Sequence, residues 1–186
     1  MPTTLKRDRL TRAAKTLIAQ HGVARTSLAD IAQAADVPLG NVYYHFRTKE
    51  ALVEAVIQAH VQDIQTLLAQ CDQLPDPRQR LLEFLAAERQ AEPMFQRFGC
   101  PYGSLSQELN KEESALAVAA AGLMQVYLDW VQAQFRLLGQ GEQEAHYLAI
   151  DLVTSLQGAF LLTNCFRAAD PLDCVVQRLN QEIRSL

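Results

Sequence analysis

The chain has 186 residues, 49% of them hydrophobic and 20% charged, with a formal net charge of −4. That length can bury a core as one compact unit or as two small subdomains. The acidic total excludes a general nucleic-acid coat protein, which needs a basic excess to neutralise phosphates, and no run of roughly 18 uninterrupted apolar residues offers a spanning helix.

The nearest approach to such a run, Leu152 to Phe166, is broken by Thr154, Ser155, Gln157, Gly158 and Asn164. The start, Met1-Pro2-Thr3-Thr4-Leu5-Lys6-Arg7, has no apolar leader region and no small-residue cleavage site. A cytoplasmic protein with no membrane partner is therefore expected. Charge is unevenly spread: residues 1–50 hold eight basic and four acidic side chains, a balance of +4, and the remainder carries −8. A basic head on an acidic body is the asymmetry of a protein whose head meets a polyanion. A solvated basic face is the alternative.

The periodicity is helical nearly throughout. Leu10, Ala13, Ala14, Leu17 and Ile18 mark one face of a first helix, and Gly22 is placed to end it. In the next segment Ser27 can cap and Asp30 can answer it. Pro38 stands where a very short third helix starts, ending near Phe46. A fourth begins around Thr48, with Glu50 near its positive end, and carries Leu52, Val56, Ala59, Ile64, Leu67 and Leu68 toward Gln70.

Leu74-Pro75-Asp76-Pro77 is a clear breaker. Beyond it the expected helices run over 78–92, 101–109, 113–138, 142–169 and 171–183. Gly139-Gln140-Gly141 and Asp170-Pro171 separate the last three. No alternating strand pattern, internal repeat or low-complexity tract appears. The expected fold is all-α with about nine helices.

Three short helices with a tight connection between the second and third read as a helix-turn-helix. Leu17, Leu28, Ile31, Val37, Val42 and Phe46 are its expected core. That leaves Leu39, Gly40, Asn41, Tyr43, Tyr44 and His45 exposed on the third helix. Hydroxyl, amide and imidazole groups suit phosphate oxygens and base edges, and glycine permits close backbone approach. One of the tyrosines packing on the first helix is the alternative.

The run Thr26-Ser27-Leu28-Ala29-Asp30-Ile31-Ala32-Gln33-Ala34-Ala35-Asp36-Val37-Pro38-Leu39-Gly40-Asn41-Val42-Tyr43-Tyr44-His45-Phe46, followed by Thr48-Lys49-Glu50-Ala51-Leu52, resembles the DNA-binding domain of the tetracycline-repressor (TetR) family over about residues 5 to 55. The resemblance implies phosphate contacts from Tyr43, Tyr44, His45 and Lys49, and base contacts from Leu39, Gly40 and Asn41. It also implies a helix cap and backbone contact from Thr26 or Ser27. Two departures stand out. Asp36 occupies a turn position where many members have glycine, and Pro38-Leu39 replaces a common Ser-Lys. Leu39 can read a thymine methyl instead.

The resemblance divides the chain into a DNA-binding domain, 1–50, and a helical effector-binding and dimerisation domain, 51–186. It implies a homodimer that binds a palindromic double-stranded DNA operator and answers a small-molecule effector, most simply as a repressor. Two apolar stripes suit pairing of the last two helices: Leu152, Leu156, Ala159, Phe160 and Thr163, and Val175, Val176, Leu179 and Ile183. Burial of both stripes within one chain is the alternative. Candidate effector-pocket residues are Phe95, Phe98, Cys100, Tyr102, Met124, Tyr127, Trp130, Phe160 and Asn164, although the same composition also makes ordinary core.

Cys71, Cys100, Cys165 and Cys174 show no zinc spacing, and His21, His45, His60 and His146 are scattered, so neither metal nor cofactor is expected. Cys100 precedes Pro101, a helix start that can stabilise a thiolate. Gly99-Cys100-Pro101-Tyr102-Gly103-Ser104-Leu105 resembles an element of some TetR-like proteins whose cysteine senses oxidants or electrophiles, which admits a thiol-reactive effector. A small, inert, buried cysteine is the other reading. No Gly-x-Ser-x-Gly, phosphate-loop or His-Glu-x-x-His motif occurs, so no catalytic residue is expected. Two other classes remain: an all-α enzyme with Cys100 as nucleophile, and a helix-turn-helix protein-interaction module.

Overall fold

The computed structural model describes residues 3–111 and 113–186, with the side chains of Thr3 and Thr4 also outside the description. The Met1-Pro2 start of the amino-terminal reading lies outside the described residues. Ten helices and no strand occur among those described: α1 (Thr3–His21), α2 (Leu28–Ala34), α3 (Leu39–His45), α4 (Lys49–Cys71), α5 (Pro77–Gln90), α6 (Glu92–Phe98), α7 (Pro101–Leu109), α8 (Ala115–Leu137), α9 (Glu142–Phe166) and α10 (Asp170–Ser185). The all-α expectation holds, with one helix more than the periodicity shows.

The extra element is α6. Pro93 lacks the N–H that a continuing α5 needs, so the chain turns at Ala91 and restarts with proline in the new first turn. The last carbonyls of α6 are met from the far end of α9. Arg167 donates to the carbonyls of Gln96 and Arg97 at 2.5 and 2.6 Å, and Asn164 donates to that of Gln96 at 3.1 Å. Arg167 adopts a left-handed conformation, φ 54°, and so ends α9 three residues before the expected Ala169.

The chain gathers into two compact units. The first comprises Met1–Gln62 with Tyr102–Leu123, the second Asp63–Pro101 with Met124–Leu186. In the first, α1 packs on α2 and α2 on α3. Leu10, Ala14, Ile18, Ile31, Val37, Val42, Phe46, Leu52 and Val56 are buried there, together with Leu105 of α7 and Ala117 and Ala120 of α8. Leu17 and Leu28, expected in this core, are only half-buried. Leu10 and Ala14 lie deeper because the buried stripe of α1 is centred on them.

In the second unit α9 packs on α10 and α6, and α10 on α5. Leu152, Leu156, Ala159, Phe160 and Thr163 are buried inside the chain, as are Val176, Leu179 and Ile183, with Val175 half-buried. The two stripes expected to meet a second copy are therefore intramolecular core. The apolar residues of α9 left in solvent lie on its opposite side: Tyr147, Ile150, Leu161 and Leu162, with Phe166 at the end. Gly158 sits among them with open space around it.

Two apolar sides on one helix explain a further departure. Over an 18-residue window α8 and α9 reach mean hydropathies of 1.2 and 1.3, long and apolar enough by length and composition to cross a membrane. Neither helix holds an uninterrupted apolar run of that length, because Gln and Gly, with Thr in α9, are scattered among the apolar residues. In α9 one side supplies the contact with α10 and α6 and the other is the outer face just described.

Candidate nucleic-acid interface

The outer surface of α3 is built by what lies beneath it. Val42 and Phe46, at i and i+4, are buried at 0% and 2% exposure and hold the helix on α2. Seven residues then leave the other side facing outward. Tyr44 is 77% exposed, Tyr43 53% and Leu39 42%, while Gly40 is exposed and Asn41 and His45 are half-exposed. A Cβ at Gly40 would meet nothing within 4 Å, so the absent side chain leaves room outward, not inward. Tyr44 stands edge-on to His45 with ring centres 5.1 Å apart. Both tyrosines thus have more than half of their surface in solvent.

Pro38 lies one position before α3, as its N-cap, with no side-chain cap; its carbonyl accepts from Asn41 N at 2.8 Å. The turn ahead of it depends on Asp36, which adopts φ 49°, a conformation Asp tolerates better than most residues. Arg9 of α1 grips this turn, donating to the carbonyls of Ala35 and Asp36 and pairing with the Asp36 carboxylate at 3.2 Å. Arg7 stacks over the Phe46 ring, 5.1 Å from its centre. Nothing in the periodicity singles out Arg9.

The α2 end shows the full capping box. Ser27 Oγ accepts from Asp30 N at 3.1 Å, and Asp30 accepts from Ser27 N at 2.9 Å and Ser27 Oγ at 2.6 Å. These bonds hold the Asp30 carboxyl below its ordinary range. Ser27 is exposed, whereas Thr26 is buried, and its hydroxyl donates inward to the Gly22 carbonyl at 2.7 Å. Of these two candidates for backbone contact, Ser27 faces outward. Lys49 opens α4, half-exposed, its Nζ 3.4 Å from the Ala24 carbonyl. Hydrogen bonds from its own backbone N–H and from the Thr48 side chain keep the neighbouring Glu50 carboxyl low, as expected at a helix start.

The candidate effector residues fall into separate sets. In the second unit Phe95 and Phe160 pack with ring centres 4.0 Å apart, and Asn164 spends its amide on α6. Tyr127 and Trp130 both pack on Phe84, at 5.6 and 5.7 Å, and the Trp130 indole donates to Asp72 at 3.0 Å. Phe98 and Met124 are half-buried, and Cys100 is buried directly ahead of α7. Tyr102 belongs to the first unit, edge-on to His60 at 5.0 Å.

Sequence reasoning missed Glu88. It is buried on α5, and desolvation pushes its carboxyl up to about 7, against a hydrogen bond from Tyr127 that acts to lower it. It stands four residues after Phe84 and seven after Leu81, on the buried stripe of α5, whereas Glu83 is exposed, so the helical period is the signal that could have found it. Cys71 is also buried, its thiol pushed up to about 11 by desolvation, and is a poor nucleophile. Cys165 and Cys174 are exposed. No group of three or more His, Cys, Asp or Glu side chains able to hold a metal ion occurs among the described residues.

A helix-turn-helix with a basic head and an outward-facing, hydrogen-bonding third helix defines a DNA-binding regulator. Residues 10–56 match the family described as "Bacterial regulatory proteins, tetR family", and residues 78–178 that described as "Transcriptional regulator LmrA/YxaF-like, C-terminal domain". The chain belongs to the TetR family of transcriptional regulators. It is 28% identical over 183 residues to the HTH-type transcriptional repressor DhaR of Mycobacterium sp. (strain GP1), spanning 93% of this chain and 89% of that one. An HTH-type transcriptional regulator of Mycobacterium tuberculosis (strain ATCC 25618 / H37Rv) is 30% identical over 190 residues, spanning 93% and 91%. The fold matches that of a TetR transcriptional regulator from Legionella pneumophila with a TM-score of 0.86 at 21% identity, covering 94% of this chain and 95% of that one.

Proposed function

We propose that the protein is a cytoplasmic repressor that binds a palindromic operator as a homodimer and is released by a small-molecule effector. Residues 1–50 bind DNA and residues 51–186 bind the effector and the second copy. The observation that carries the reading is the outer side of α3, where two tyrosines stand 53% and 77% exposed above a buried Val42. Two tyrosines exposed side by side on a seven-residue helix, beside exposed Leu39, form a patch suited to a partner. Tyr43, Tyr44, His45 and Lys49 hold phosphates, and Ser27 supports them from the start of α2. Leu39, Gly40 and Asn41 meet base edges. Leu39 offers apolar contact where a cation is common in the family, so thymine methyls are its natural target. DhaR, a repressor by name, supports the negative sign of regulation.

The second copy docks on the outer side of α9. Tyr147, Ile150, Leu161 and Leu162 provide apolar area, and Gly158 allows helices to approach closely. Two heads then read two half-sites. The effector site belongs to the second unit, among Phe95, Phe98, Cys100, Met124, Tyr127, Trp130, Phe160 and Asn164, with Glu88 as an added ionisable wall. Whatever binds there releases DNA only by favouring one dimer arrangement over the other, since equal affinity shifts nothing.

Selecting bound fragments from genomic DNA tests the function, because the adjacent genes name both operator and effector class. Recovery of a common inverted repeat is expected. A bound pool with no shared sequence overturns the reading.

A further inference from the structure

Glu108, on α7, closes a hydrogen-bonded ring with the turn between α1 and α2. Its two carboxylate oxygens accept from Val23 N and Ala24 N, each at 2.8 Å, across 85 and 84 residues of sequence. The turn is shaped for it. Gly22 leaves α1 in a left-handed conformation, φ 80°, and successive N–H groups after such a residue point to one place, forming a small anion nest. A Cβ on Gly22 would come within 2.9 Å of the carboxylate.

Several other polar groups of this turn are also engaged. Gly22 N bonds to Ile18 O at 2.8 Å, Thr26 N to Val23 O at 3.2 Å, and the Thr26 hydroxyl to Gly22 O at 2.7 Å. Lys49 reaches the Ala24 carbonyl at 3.4 Å. The turn leads directly into Thr26 and Ser27, so its position sets where α2 starts. On α7 the carboxylate is anchored by its neighbours: Leu105, one turn earlier, is 2% exposed, and Ser106 donates to the Ala120 carbonyl of α8 at 2.9 Å.

We propose that Glu108 is a positioning residue for DNA binding: it latches the α1–α2 turn to α7 and so sets the phosphate-contacting edge of the head. The proposal rests on the reading of this head as the DNA-binding surface. It makes α7 and the start of α8 part of the DNA-binding machinery, although they lie far from the helix-turn-helix in sequence. The latch borders a cleft of about 400 Å³ lined also by Lys49, Lys111 and Leu116, so water can reach the carboxylate. The latch is a charge-assisted pair of hydrogen bonds at the edge of that cleft.

Simple electrostatics and the latch predict opposite signs. Removing an acidic charge from the protein raises affinity for a polyanion if charge alone matters. If the latch matters, affinity falls. The probe is a duplex recovered from a random-sequence pool with the parent full-length chain, used against parent, Glu108→Ala and Glu108→Gln. The latch predicts that Glu108→Ala weakens binding by about tenfold or more, as loss of two hydrogen bonds to a charged group implies, with Glu108→Gln between it and the parent because one acceptor remains. In the protein without DNA, the amide protons of Val23 and Ala24 should move upfield and exchange faster in Glu108→Ala, while the amides of α9 and α10 stay as in the parent.

Unchanged Val23 and Ala24 amides overturn the latch itself. Altered amides with operator affinity equal to the parent, or tighter, overturn its role in DNA binding. Should Glu108→Ala fail to fold, Glu108→Gln decides by the same two readouts. A parent chain that selects no duplex overturns the DNA-binding reading instead, and the amide measurement still decides the latch.

Discussion

Arg9 and Asp36, 27 residues apart, are joined at the turn that precedes α3: the guanidinium donates to the Asp36 carbonyl at 3.1 Å and pairs with its carboxylate at 3.2 Å. The carboxylate is almost fully in water, so the ion pair contributes little and the carbonyl bonds matter more. Arg9→Ala is expected to cost about 1–2 kcal/mol by freeing the turn. Asp36→Gly is expected to stay within about 1 kcal/mol of the parent, since glycine regains at φ 49° what the exposed pair loses. Urea midpoints of the two variants, compared at equal slope, check this order.

Tyr44→Ala separates binding from stability. At 77% exposure the ring supports no core, so unfolding free energy should stay within about 0.5 kcal/mol of the parent. Affinity for the selected operator should nevertheless fall across sequences. Lys49→Ala should lower the slope of log affinity against log salt by about one. Titrations at several salt concentrations, read by fluorescence anisotropy, distinguish these outcomes.

Glu88 gives stability a pH dependence with a definite sign. Its carboxyl is raised from 4.5 to about 7 in the folded chain, so the folded state binds the extra proton between those values. Stability from this group is fully present below about 4.5, is lost as pH rises through about 7, and is flat above. Glu88→Gln removes the titration and keeps an acceptor for Tyr127. It should be near-neutral at pH 4.5 and more stable than the parent by about 3 kcal/mol at pH 8. Melting temperatures of both chains across this range provide the comparison.

Leu161→Arg tests the proposed dimer face. At 62% exposure it should leave the fold intact, yet place a charge where the second copy docks. Sedimentation should show a dimeric parent and a monomeric variant. A substitution in the inner stripe, such as Leu156→Ala, should instead unfold the chain more easily, by about 2–5 kcal/mol.

Cys100→Ser tests the thiol-reactive effector. Cys165 and Cys174 are exposed whereas Cys100 is buried, so a maleimide should label the first two rapidly and Cys100 slowly. If the effector acts on Cys100, an electrophile that releases the parent from DNA should leave the Ser variant bound. Release of the variant at the parent's concentration excludes Cys100 as the target.

The head was legible because each of its parts is local. Periodicity placed Val42 and Phe46 inward, which left the tyrosines outward, and Ser27 with Asp30 form a box three residues wide. Asp36 was legible as a left-handed turn residue through the resemblance, which puts glycine at that position in many members. The inner stripes of α9 and α10 were found correctly as stripes and assigned to the wrong neighbour. A period of 3.6 says which residues share a side but not which surface covers them. α6 escaped because its end is satisfied by Arg167, 70 residues away, in a conformation arginine rarely takes.

From the sequence alone came an acidic total resolved into a basic head of +4 and a body of −8, an all-helical chain, and the exposed chemistry of α3. Tertiary structure alone decided which carboxylates matter. The helical period puts Glu88 on the apolar side of α5, but neither its desolvation nor the partners of Glu108 can be read from the one-dimensional pattern. One is set apart by burial beside Tyr127 and the other by two backbone N–H groups more than 80 residues distant. A side chain's desolvation and its partners are properties of the atoms the fold brings around it, and residues far apart in sequence supply those atoms.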